Sequence, residues 1–139
     1  MFLLDTDVIS LRRRSNRHPV VFQWLESQRQ ADLHLSVVTL AELARGIVRQ
    51  RRHNPDFARD LTLWLERTIT WFDDRVIPVN AAIAERWGQL SGELGHFNVD
   101  LLIAATAIEH DLAVVTRNVR HFEPTGAKVL NPFDNLDLP

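Results

Sequence analysis

A chain of 139 residues, 45% hydrophobic and 24% charged, with five Gly and six Pro, is composed for one folded domain; two ordinary cores, collagen-like repeats and disorder are excluded. The absence of cysteine excludes disulfides, thiolate metal sites and cysteine nucleophiles, so any metal must be held by oxygen or nitrogen. The net charge of −2 hides a division: residues 11–53 hold nine Arg against Glu26, Asp32 and Glu42, whereas residues 54–139 hold seven bases against thirteen acids.

Short apolar runs alternate with longer amphipathic stretches. Phe2-Leu3-Leu4 reads as a strand, followed by a loop that carries Arg12, Arg13, Arg14 and Arg17. Pro19 to about Gln28 reads as a helix, with Val21, Trp24, Leu25 and Gln28 on one face. Leu33 to Ser36 is a second strand. Thr39 is expected to cap the next helix, whose apolar stripe is Leu40, Leu43, Ala44, Ile47 and Val48. Asn54 caps a third helix with Pro55 at its first position and a stripe of Phe57, Leu61, Trp64, Leu65, Thr68 and Phe72. Val76-Ile77 is a brief strand. A helix from about Asn80 to Leu94 ends at Gly95, and the helix from Val99 to about His110 is apolar all round, the mark of burial between layers. Ala113 to Val115 and Lys128 to Leu130 complete the strands. This alternation predicts a parallel sheet covered on both faces, an α/β three-layer α/β/α sandwich. No apolar run approaches the roughly 20 residues of a membrane span, and Met1-Phe2-Leu3-Leu4-Asp5 lacks a leader pattern, so a cytoplasmic protein is expected.

In open parallel sheets ligands sit beyond the carboxyl ends of the strands, and in this chain those positions are mostly acidic. Asp5 and Asp7 follow the first strand, Glu42 lies just after the second, Asp100 opens the apolar helix, and Asn118 follows Val115-Thr116-Arg117. Each has a local alternative. Asp5 and Asp7 suit a turn, Thr39-Leu40-Ala41-Glu42 fits a capping box, Asp100 complements a helix dipole, and Asn118 is an ordinary turn residue. Converging without Lys or His, however, these hard oxygen ligands repel one another unless a divalent cation such as Mg²⁺ or Mn²⁺ neutralises them.

At 100° per residue Glu42, Arg45, Arg49 and Arg52 share an arc of about 80°, so a row of guanidinium groups descends from the acids. Arg45, Arg49 and Arg12 are therefore candidates to grip a phosphate backbone, with a solvated surface as the alternative. The six His residues show no metal-binding spacing and are assigned no chemistry. Trp24, Trp64, Trp71 and Trp87 suit a core or a subunit contact better than base stacking.

The order and spacing of Leu3-Leu4-Asp5-Thr6-Asp7-Val8-Ile9-Ser10, Leu35-Ser36-Val37-Val38-Thr39-Leu40-Ala41-Glu42-Leu43, Asp100-Leu101-Leu102-Ile103-Ala104-Ala105-Thr106-Ala107 and Val115-Thr116-Arg117-Asn118 resemble a PIN-domain ribonuclease, specifically a VapC-type toxin of bacterial toxin–antitoxin pairs. The resemblance covers nearly the whole chain and implies a single PIN domain over residues 1–139. It maps the family's metal-binding acids onto Asp5, Glu42 and Asp100, and its fourth acidic position onto Asn118, a departure that keeps one oxygen and loses a charge. Asp7 stands where relatives often carry Asn, and it offers a compensating carboxylate. The implied reaction is Mg²⁺- or Mn²⁺-dependent hydrolysis of RNA by a water that the cation activates, leaving a 5′-phosphate and a 3′-hydroxyl. Asp5, Glu42, Asp100 and Asn118 would form the catalytic set. A homodimer and a cognate VapB-like antitoxin are implied as well; the antitoxin's C-terminal segment wraps the toxin and fills the acidic site, and DNA is reached only through the antitoxin.

Two other readings compete. Asp5-Thr6-Asp7-Val8-Ile9 superficially fits the nucleophile loop of a haloacid-dehalogenase-type phosphatase, which would also need a Lys at the site; the only Lys is Lys128. Alternatively, Asn118 marks a catalytically weak PIN-like dimer that binds RNA or protein.

Overall fold

The computed structural model describes residues 1–13 and 17–134. Five strands, β1 (Phe2–Leu4), β2 (Leu33–Ser36), β3 (Val76–Ile77), β4 (Ala113–Val115) and β5 (Lys128–Leu130), form an all-parallel sheet in the order β3-β2-β1-β4-β5. The chain winds outward from β1 to β3, then returns to the other side of β1 for β4 and β5. The winding therefore reverses between β1 and β4, and a crevice opens there beyond the carboxyl ends of the strands.

Successive strand residues face opposite sides of the sheet, so each strand feeds two cores. Leu3 and Val114 belong to one core, with Ile83 and Leu90 of α5 (Ala81–Leu94), the buried run Leu101 to Ala107 of α6 (Val99–Glu109), and Phe122 of α7 (Val119–Phe122). Leu4 and Val115 belong to the other, with Val8 and Ile9 of α1 (Thr6–Arg12), Val21 and Leu25 of α2 (Pro19–Ser27), and Phe72 of α4 (Pro55–Phe72). The result is the expected three-layer α/β/α sandwich. No helix of the described residues is long and apolar enough to cross a membrane.

Three local expectations are corrected. The segment after β1 is not a loop: helix α1 begins at once, with the Asp5 side chain accepting from Thr6 N at its N-terminus, and Arg12 belongs to its last turn. Arg14 lies outside the described residues. Helix α3 (Val37–Arg51) starts two residues before Thr39, because Ser36 supplies the cap by accepting from Val38 N at 3.1 Å. Thr39 is thereby carried into the helix and fully buried. The α3 stripe is also narrower than the pattern suggests, with Ile47 buried, Leu40 and Leu43 half-buried, and Ala44 and Val48 exposed. Two other caps fall as read, with Asn54 accepting from Phe57 N at 3.1 Å and Gly95 ending α5 at φ 80°, which favours glycine, while Asn80, read as the first residue of α5, is its cap and accepts from Ile83 N at 2.9 Å.

Candidate active site

Asp5 stands at the point where the winding reverses. Its backbone N–H donates to Val115 O at 2.9 Å, which joins the end of β1 to the end of β4. Its carboxylate accepts from Thr6 N at 2.8 Å through Oδ1 and from the buried Thr116 hydroxyl at 2.8 Å through Oδ2. Burial, then the neighbouring Asp7 charge and more weakly Asp100, push the Asp5 pKa up to about 7 against the two hydrogen bonds.

The remaining acids are each tied back by a different partner. Asp7 accepts from Arg117 Nε at 3.2 Å through Oδ2, while its Oδ1 is buried without a hydrogen-bond partner among the described residues. Glu42 Oε1 accepts from the Thr6 hydroxyl at 2.7 Å, and Thr6 also reaches Thr39 Oγ1 at 3.2 Å. One residue, Thr6, thus bridges the turns after β1 and β2. Asp100 Oδ2 stands 3.0 Å from His121 Nδ1; a carboxylate oxygen only accepts, so this ring nitrogen carries the proton. Asn118 is exposed, and its backbone N–H donates to Thr116 Oγ1 at 2.9 Å.

The expected acids therefore split. Asp5, Asp7 and Asp100 are coupled through their charges, and Glu42 is linked to them through Thr6. Among the described residues no three carboxylate or imidazole groups stand close enough together to enclose one metal ion. The donor set still fits a hard divalent cation in its chemistry: oxygen ligands, a raised Asp5 and an orphaned Asp7 oxygen express negative charge that the protein leaves uncompensated. The haloacid-dehalogenase reading finds no support. Lys128 Nζ donates to Asp111 Oδ1 at 2.9 Å, and Lys128 starts β5 in register with Ala113, at the amino ends of strands opposite Asp5.

The arginines separate as well. Arg45 and Arg49 are exposed on α3, which fits a phosphate-facing row and a solvated surface alike. Arg12 is not free in a loop: its guanidinium stacks on Trp71 of α4, 4.2 Å from the ring centroid. Sequence reasoning missed Thr6, Thr116, Arg117 and His121 as neighbours of the acids. The first lies between two acidic positions and the next two belong to the run ending at Asn118. His121 follows three residues later, on the helical turn that Asn118 opens.

A PIN domain family model matches residues 2–127. The crystal structure of FitAcB from Neisseria gonorrhoeae superposes with a TM-score of 0.84 at 33% identity, covering 96% of this chain and 99% of that one. A toxin–antitoxin complex from Klebsiella pneumoniae gives a TM-score of 0.68 at 25% identity, covering 95% of this chain and 98% of that one. The VapC ribonuclease Y4jK of Sinorhizobium fredii is 27% identical over 143 residues, covering 96% of this chain and 99% of that protein. With the family model spanning β1 through β4 and nearly the whole chain, this chain belongs to the PIN domain family.

Proposed function

We propose that this chain is an endoribonuclease that acts as the cytoplasmic toxin of a toxin–antitoxin pair, cleaving RNA with Mg²⁺ or Mn²⁺. The observation that carries the reading is Asp5, buried at the winding reversal with its pKa raised beside Asp7 and Asp100. Asp5, Asp100 and Glu42 would have to draw together to hold the cation, which would supply charge neutralisation of the phosphate and an acidified water. Thr6 and Thr116 fix the Asp5 carboxylate, and Thr6 draws Glu42 toward it. Asn118 would bring its neutral amide oxygen to the rim, and exposed Arg45 and Arg49 would hold flanking phosphates.

The antitoxin reading is supported by likeness to the Klebsiella complex and by a groove of about 300 Å³ between α1, α3 and α4. Thr6 and Glu42 form one end of it, and Leu43, Ile47, Phe57 and Trp64 supply apolar walls. A peptide segment laid there would bury apolar side chains and end at the acids. A homodimer completes the proposal.

The test is incubation of purified chain with total RNA in Mg²⁺, Mn²⁺ or chelator, with Asp5→Asn and Asp100→Asn alongside. Discrete metal-dependent fragments that vanish in both variants support it. RNA binding without cleavage in either metal favours a binding module, the reading that neutral Asn118 at the rim would then explain.

A further inference from the structure

The turn between α5 and α6, together with α7, carries groups that the proposed chemistry leaves unused. His96, Asn98, Arg120, His121 and Pro124 bound a depression of about 210 Å³ whose remaining wall is Asp100. His121 is held there by its contact with Asp100, whereas Arg120 is exposed and makes no hydrogen bond or ion pair among the described residues.

Next after His96 in the chain, and lining a separate hollow with His96, Gly88 and Gly92, is Phe97, 63% exposed. Its ring is not loose: it packs on Trp87 with centroids 4.1 Å apart, and Trp87 Nε1–H donates to Asn98 O at 3.3 Å. Single exposed apolar residues are common and ordinarily carry no meaning. Phe97 differs because it is braced from behind, directly follows His96 of the depression and lies three positions before Asp100. A fixed aromatic face one residue from the wall of a depression that holds an unpaired guanidinium is a combination suited to single-stranded nucleic acid, the ring stacking on a base and the cation binding a phosphate. An acidic peptide would gain the cation but leave the ring unused.

We propose that this corner is the subsite for the single-stranded RNA next to the scissile phosphate, with Phe97 stacking on a base and Arg120 binding a phosphate alongside. The proposal rests on the ribonuclease reading and adds to it a position that sets base preference. Every base has a stacking face and purines offer the larger one, so purines are favoured here over pyrimidines.

Two measurements on the full chain decide it: anisotropy of a short fluorescein-labelled single-stranded RNA in chelator, and steady-state cleavage of the same RNA in Mg²⁺. Phe97→Ala and Phe97→Leu should each weaken binding and raise KM about tenfold with kcat little changed, and Phe97→Trp should restore both. Leu keeps the apolar packing on Trp87, so only loss of stacking separates it from the native ring. Arg120→Ala should weaken binding and lower the salt slope of log K by about one. Thermal melts confirm that each variant is folded. Native affinity in Phe97→Leu and Arg120→Ala overturns the proposal. So does a change confined to sedimentation, which would assign Phe97 to a contact between two copies. If the native chain binds RNA in chelator yet cleaves none in metal, the nuclease reading fails while the binding arm still decides the subsite. No RNA binding at all sinks both.

Discussion

The Thr116 hydroxyl donates to Asp5 Oδ2 at 2.8 Å across 111 positions of sequence, and Thr116 Oγ1 itself accepts from Asn118 N at 2.9 Å. Thr116 is fully buried, so this bond to a carboxylate works in a dry environment. Thr116→Val should cost about 2 kcal/mol by leaving both partners without their bond, measured by urea denaturation. Because the bond lowers the Asp5 pKa, its loss should move the acid limb of the kcat/KM profile to higher pH. Thr116→Ser should restore both, and an unmoved acid limb would remove Thr116 from the control of Asp5.

Asp5 also dictates how the metal-free protein responds to pH. Its pKa is 3.8 in the unfolded reference and about 7 in the fold. Below 3.8 both states are protonated and nothing is lost; between the two values the folded state holds the extra proton, so unfolding free energy falls as pH rises and levels off above about 7. The full loss is roughly 4 kcal/mol at 1.36 kcal/mol per unit. Chemical denaturation of the chelated chain from pH 4 to 8 checks it. Asp5→Asn should flatten the curve, making the inactive variant the more stable protein at pH 8, and Mg²⁺ should stabilise the native chain more at pH 8 than at pH 5.

The arginines should divide by what they touch. Arg12→Ala removes a stack on Trp71 and should lower stability by about 1 kcal/mol without altering the salt dependence of RNA binding. Arg45→Ala and Arg49→Ala should do the reverse, each lowering the salt slope by about one while Tm stays put. A loss of salt slope in Arg12→Ala would return that residue to the RNA-facing set.

Gly46 tests the groove. It lines the space between α1, α3 and α4, and nothing lies within 4 Å of where its side chain would begin. In mid-helix Gly46→Ala should stabilise the protein by up to about 1 kcal/mol. Gly46→Trp should project an indole into the groove and weaken the antitoxin complex roughly tenfold by overpacking, with RNA cleavage by the free chain intact. Titration calorimetry against the antitoxin measures this, and unchanged affinity would place the antitoxin elsewhere.

Much of the architecture is local chemistry and was legible as such. Pro55 behind Asn54, Gly95 after Leu94, and the all-apolar run from Leu101 to Ala107 determine where helices start, stop and bury, because cap geometry and hydrophobic period act over a few residues. The acidic positions were legible for the same reason, Asp5 and Asp7 lying just past β1, Glu42 early in the helix after β2 and Asp100 in the first turn of α6. Where two local signals competed, the sequence misled: Ser36 and Thr39 are both able caps, and only the hydrogen bonding of β2 to its neighbours sets the end of that strand, leaving Ser36 to start α3. Helix α1 was missed because its four polar and three apolar residues run too short to show a period.

Sequence alone determined the five strands, the layering and the residues that carry negative charge. Tertiary structure alone decided what each charge faces. Strand order β3-β2-β1-β4-β5 brings Thr116 to Asp5, Arg117 to Asp7, His121 to Asp100 and Thr6 to Glu42, pairs between 21 and 111 positions apart. No local pattern encodes such pairs, because they follow from which strands are neighbours, and that is settled by burying both faces of the sheet at once.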